Sequence, residues 1–198
     1  MLLTLVKNLL GHRPATAARA SPDMPLRLHI GGKDRHPGWQ IVDTLPGQHV
    51  DHVCSCTDLS IFTDESVAEI YASHVLEHLG YQSELARTLD EFHRVLQPDG
   101  TLRASVPDLA TLCALFVDPA LQSAERFHVM RMMFGGQLDP FDFHKVGLSE
   151  EFLAGYLTSA GFTEVERVEA FGLFEDSSSI VFKGRPISLN LAARKRNR

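Results

Sequence analysis

The order of apolar patterns constrains this chain most. A β-branched and aromatic run, VAEIYAS (67–73), leads into a helical repeat and then into a second strand-like run, TLRASV (101–106). Between the two runs, Leu85, Leu89, Phe92, Val95 and Leu96 recur at three- and four-residue spacing, which predicts a helix over about 82–96 with one buried face. A strand, a crossover helix and a second strand make a parallel pair, because the helix carries the chain back to the edge where the first strand began. Pro98-Asp99-Gly100 is expected to end the helix before the second strand starts.

The alternation extends in both directions. LRLHI, ending at Gly31-Gly32, and WQIVD, ending at Asp43, read as strands, with HVDHVCS as a candidate third. Beyond Pro107-Asp108, DLATLCALFV reads as a helix, with Asp108 as its N-cap. A less regular stretch holding Gly135-Gly136 follows. LSEEFLAGYLTSAGF reads as a helix capped by Ser149 and closed by Gly161. EVERVEAF and ISLNLAA are late strands, separated by FEDSSSIVFKG, a loop or a short extra strand. The expected class is α/β: a Rossmann-like three-layer sandwich with a mostly parallel sheet and helices on both faces.

At 198 residues the chain has the size of one domain, expected over 25–195. Residues 1–24 read as an amphipathic segment and an Ala/Arg/Pro linker, since their apolar stretch is short and broken by Lys7. The basic residues Arg194, Lys195, Arg196 and Arg198 read as a solvated end, with 196–198 as a tail. A formal charge of -6 argues against nucleic acid as a partner, and no apolar run is long enough to cross a bilayer. Three cysteines form no disulfide framework, which suits a reducing cytoplasm. Oligomeric state cannot be read from the sequence.

Ligands of open parallel sheets bind beyond the carboxyl ends of the strands, where strand order reverses. Gly31, Asp43, Asp58 and Ser73-His74 all lie just past predicted strands, so one crevice can collect them. A glycine pair admits a ligand close to the backbone, and an acidic residue ending the next strand suits two ribose hydroxyls, so the combination points to a nucleoside.

The blocks LHIGGKDRHPGWQIVD, DLSIFTDESVAEIYASHVLEHL and RVLQPDGTLRASVPDL resemble the class I S-adenosylmethionine-dependent methyltransferases, in a subgroup of small bacterial enzymes whose fourth strand runs into S-H-V-L-E-H. The resemblance implies a central sheet of the seven-stranded type, S-adenosyl-L-methionine as cofactor, and methyl transfer to a small molecule or a glycan. It also implies that Gly31 and Gly32 form the turn beneath the methionine part, Asp43 holds the ribose, Asp58 and Leu59 border the adenine, and Ser73 and His74 stand beside cofactor and substrate. Two positions depart from the family pattern: the usual G-x-G-x-G is reduced to Gly31-Gly32-Lys33, and Ser55 stands where an adenine-facing Asp is usual. A relative with weakened cofactor binding and a regulatory role is therefore the alternative.

His74-Val75-Leu76-Glu77-His78 also spells H-x-x-E-H, a zinc-hydrolase pattern when both histidines lie inside one helix. Here His74 follows a strand directly, which makes that a distant alternative. The set His52, Cys54 and Cys56 offers soft ligands on one strand but lacks the usual knuckle spacing. No metal is expected at either place. His74, His78 and His144 are the candidates to border the acceptor, although methyl transfer to a positioned nucleophile requires little acid-base help.

Overall fold

The computed structural model describes residues 24–196. The expected amphipathic segment and linker therefore lie, except for Met24, outside the described residues, as do Asn197 and Arg198. In chain order the elements are β1 (Arg27–Ile30), β2 (Gln40–Asp43), β3 (His52–Val53), β4 (Val67–Ser73), α1 (Glu84–Val95), β5 (Leu96–Pro107), α2 (Leu109–Phe116) and α3 (Ser123–Phe134). There follow α4 (Glu150–Ser159), β6 (Thr163–Val168), β7 (Val181–Phe182), β8 (Arg185–Pro186) and β9 (Ser188–Arg194).

Seven strands make one sheet in the order β3-β2-β1-β4-β5-β9-β6. Pairings from β3 through β5 are parallel, and β9 runs antiparallel to both β5 and β6. Strand order reverses between β1 and β4, so the expected switch point lies where those two strands end.

Alternation along the strands gives the sheet two unlike faces. On one, Leu28, Ile30, Ile70, Ala72, Leu102 and Ala104 are buried against Leu85, Leu89 and Phe92 of α1 and Leu153 and Leu157 of α4. Burying each such side chain stabilises the fold by roughly 1.5–3 kcal/mol before the entropy of ordering it is subtracted. The other face carries the intervening residues, among them Arg27 of β1, level with Glu69 of β4, and Arg103 of β5, level with Tyr71. Glu69 pairs with both arginines, at 3.6 Å from Arg27 and 2.5 Å from Arg103.

The sheet is the expected Rossmann-like one, but the layer on its second face differs in detail. The connections 31–39, 44–51 and 54–66 contain no helix. Toward the carboxyl ends of the strands this face is closed by aromatic rings borne on loops. Phe174 packs on His29, Tyr71 and Trp39 at centroid distances of 4.2, 4.7 and 5.3 Å, and Phe171 packs on Tyr71. A second small core joins Leu112 and Leu115 of α2 to Val129 of α3 and to Ile187, beside the β7–β8 hairpin.

Several elements depart from the sequence expectation. The third strand contracts to two residues. The irregular stretch before Gly135 is largely helical, as α3, whose Gln122 and Glu125 close a capping box. β5 begins at once after α1 and runs through Pro98-Asp99-Gly100, with Asp99 at φ 61°. The backbone N–H of Asp99 donates to Lys195 O and that of Lys195 donates to Gly100 O. The supposedly solvated basic end is therefore engaged: Lys195 is buried with Nζ donating to Leu96 O at 2.8 Å, and Arg194 and Arg196 both pair with Glu164.

Candidate functional site

Register places the first candidates side by side. Ile30 of β1 is level with Val42 of β2 and Ala72 of β4, so Gly31, Asp43 and Ser73 leave three adjacent strands at the same edge. Gly31 has φ 69° and donates its N–H to Val42 O at 2.8 Å, which ties the turn to β2. Its chain conformation favours glycine, and an added Cβ would lie 2.9 Å from Val75. At Gly32 an added Cβ would meet the His29 ring at 2.6 Å. The pair is thus favoured by the protein's own packing.

Asp43 accepts the Leu45 N–H on Oδ1 at 2.8 Å, an Asx turn that fixes the carboxylate, while Oδ2 has no partner among the described residues. A fixed, half-buried carboxylate with one oxygen available fits a vicinal diol. Asp58 and Leu59 stand farther along, past the third strand. Asp58 is exposed, and its carboxyl is held below the usual carboxylate range, chiefly by its hydrogen bond to Ser60. Leu59 is fully buried and donates its N–H to Glu91 at 2.7 Å. Leu59 therefore packs rather than offering its amide to a ligand in this conformation. Beside Asp58 lies an open cavity of about 510 Å³ lined by Phe62, Arg87, Glu91 and Arg94, among others. None of Gly31, Asp43 or Ser73 lines it, so it is separate from the crevice at the switch point.

The stretch after β4 is not the helix that a zinc hydrolase needs. His74 has φ 53°, and only Leu76–His78 forms a 3-10 turn, so His74 and His78 do not stack one α-turn apart. The His74 N–H donates to Ser105 O at 2.8 Å, and its ring Nε2 lies 2.9 Å from Ser188 Oγ. Burial pushes the imidazole pKa down to about 4, so the ring is neutral at physiological pH. The possible ligand strand fares no better: His52 bonds Gln40 at 2.6 Å and packs on Phe62, and Cys56 is buried with its thiol pushed up to about 11, chiefly by burial.

The structure gathers a group that the sequence did not single out as a unit. Glu77 is 1% exposed, and neither carboxylate oxygen has a hydrogen-bond partner. Burial pushes its pKa up to about 8. His74 Nδ1 stands 3.4 Å and His144 Nε2 4.0 Å from Glu77 Oε1, and the rings of His78 and His144 meet edge to face at 4.8 Å. His144 belongs to the segment before α4, which is tied down by Lys145 N donating to Glu77 O at 2.7 Å and by His144 N donating to Phe134 O at 3.2 Å. The three histidine candidates thus converge around a carboxylate that H-x-x-E-H contained but that sequence reading had placed only in a hydrolase.

Two contacts were not foreseen, that between Tyr71 and Asp176 and that between Asp108 and Arg167. The Tyr71 hydroxyl donates to Asp176 at 2.7 Å, and burial raises its pKa above the ordinary tyrosine value. Asp108 is the N-cap of α2, as expected, accepting from Ala110 and Thr111, and it also pairs with Arg167 at 2.9 Å.

A family model described as a methyltransferase domain matches residues 36–104, from the loop before β2 into β5. No curated protein matches the chain by sequence. Among solved structures, a SAM dependent methyltransferase from Archaeoglobus fulgidus superposes with a TM-score of 0.55 at 17% identity, over 87% of this chain and 87% of that one. The N-methyltransferase NodS from Bradyrhizobium japonicum, solved with S-adenosyl-L-homocysteine, gives 0.52 at 18% identity over 87% and 78%. A possible exported protein from Bordetella parapertussis gives 0.54 at 14% identity over 86% of this chain, which spans 62% of that protein. The chain likewise spans 50% of the CurJ carbon methyltransferase to which it is similar. At these identities the likeness is one of fold.

Proposed function

We propose that this chain is a class I S-adenosylmethionine-dependent methyltransferase that transfers a methyl group to a small molecule or a glycan, a reading supported by its fold and by the match over residues 36–104. The observation that carries the proposal is the alignment of Gly31, Asp43 and Ser73 at the ends of three adjacent parallel strands where strand order reverses. S-adenosylmethionine supplies the activated methyl, carried on a sulfonium. In this reading Asp43 binds the ribose hydroxyls through its available oxygen, the Gly31-Gly32 turn admits the methionine part, and Ser73 and His74 flank the sulfur. Asp58 is the candidate neighbour of the adenine, and Leu59 supports it from the core.

His74, His78 and His144 border the acceptor side. All three imidazoles are held below their ordinary pKa, chiefly by burial, so they serve as neutral hydrogen-bonding walls rather than cations. Positioning then supplies most of the rate. The short 31–39 connection, with no helix after the glycine pair, favours the second reading of weakened cofactor binding. Free Cys54, Cys56 and Cys113 support a cytoplasmic setting. No helix among the described residues is long and apolar enough to cross a membrane.

Calorimetry with S-adenosylhomocysteine tests the proposal. Saturable binding is expected, with Asp43→Ala weakening it by about 1–3 kcal/mol, the cost of removing a charged hydrogen-bond acceptor. Asp43→Asn retains an acceptor for Leu45 N–H and separates loss of charge from loss of the turn. No binding at millimolar ligand, or wild-type affinity in both variants, contradicts it.

A further inference from the structure

We propose that Glu77, His78 and His144 form a binding site for a borderline divalent cation of the zinc type, with open coordination positions facing the acceptor side. The ligand atoms of these three residues all lie within 4.8 Å of one another. A tetrahedral ion with bonds of about 2.0–2.1 Å wants ligand atoms about 3.3 Å apart, a contraction that side-chain rotation supplies.

The Glu77 carboxylate is the independent observation that points to a ligand. It is 1% exposed, and both oxygens lack any hydrogen bond. His74 Nδ1, at 3.4 Å, approaches it without hydrogen-bond geometry, and His74 Nε2 is already engaged by Ser188. Stripping a carboxyl group of water and giving it no partner is costly, and a bound cation removes that cost.

The histidines are arranged as ligands as well. His78 Nδ1 lies 3.2 Å from Phe143 O. A carbonyl only accepts, so that nitrogen carries the proton and Nε2 keeps its lone pair for a metal. A backbone carbonyl holding the distal N–H is the usual support behind a metal-bound imidazole. His144 faces Glu77 through Nε2, while the carbonyls of Met133 and Met132 attend its ring.

Two imidazoles and one carboxylate suit zinc and its first-row neighbours, and they leave room for an oxygen of the acceptor. The role at the acceptor rests on the methyltransferase reading, whereas the cation site itself does not.

Zn²⁺ titration of the metal-stripped protein, followed by calorimetry and by elemental analysis after dialysis, tests the site. One equivalent is expected, with His144→Ala and Glu77→Gln each weakening binding at least 10-fold. Co²⁺ should give the visible absorption of a low-coordinate nitrogen and oxygen site, lost in His144→Ala. Because His144 sits on a loop, that variant serves even if Glu77→Gln fails to fold. S-adenosylhomocysteine affinity, measured on the same metal-free samples, is expected to persist. Substoichiometric Zn²⁺, or unchanged Zn²⁺ affinity in folded His144→Ala, overturns the site whether or not S-adenosylhomocysteine binds.

Discussion

His29 shows how one side chain links the sheet to the crevice. Its ring lies between Phe174 and Tyr71, touches the space above Gly32, and leaves Nδ1 without a partner. Burial pushes its pKa down to about 4; Asp176 and Asp34 pull the other way and His36 adds to the lowering. The folded state therefore refuses a proton that the unfolded chain accepts near pH 6.5. Stability from this group is complete above pH 6.5 and is lost as pH falls toward 4, by up to about 3 kcal/mol. His74 titrates in the same window. In urea unfolding at pH 7.5 and pH 5, His29→Phe should lose less stability on acidification than the wild type, the opposing contribution of Glu77 with its raised pKa being common to both. An equal loss in the variant would mean that His29 does not carry the effect.

Among the elements, α2 is tied to the edge strand β6 through one residue, Asp108. Asp108 caps its first turn through Ala110 and Thr111, and its other oxygen holds Arg167 of β6, so one buried carboxylate joins a helix to the edge strand. Asp108→Ala is expected to cost about 2–4 kcal/mol, from the lost cap and the broken pair. Asp108→Asn, which retains the capping oxygen, should cost less. Comparing urea midpoints of the two variants checks the order, and equal midpoints would show that capping contributes nothing.

This cap was legible because a Pro-Asp pair before an apolar helical run has a local meaning. So were β4, α1 and α4, whose patterns match their burial. By contrast, α3 was not, since Val129 is its one fully buried residue and SAERFHVMRMMF shows no stripe to find. The early start of β5 was hidden for another reason. Pro98-Asp99-Gly100 is turn chemistry read locally, and pairing of Leu96 with Val67 and of Asp99 and Gly100 with Lys195, all distant in sequence, keeps it in the strand. The Glu77 cluster was half visible: H-x-x-E-H put the carboxylate on the page, but His144 joins it only through the fold.

At the scale of the molecule, the mostly parallel sheet followed from the alternation of strands and helices and its seven-stranded type from the family resemblance, and the charged second face followed from neither. Glu69 is flanked by Arg27 and Arg103, a ladder that alternation turns away from the core, while Phe171 and Phe174 close the same face nearer the crevice. The sheet thus serves as a core wall on one side, and the proposed ligand site lies at one of its edges. A crystal structure with S-adenosylhomocysteine tests that division most directly. The ribose hydroxyls are expected within hydrogen-bonding distance of Asp43, with the sulfur beside Ser73 and His74. Finding the nucleoside in the cavity between Asp58 and Arg94, or anywhere away from Asp43, would contradict it.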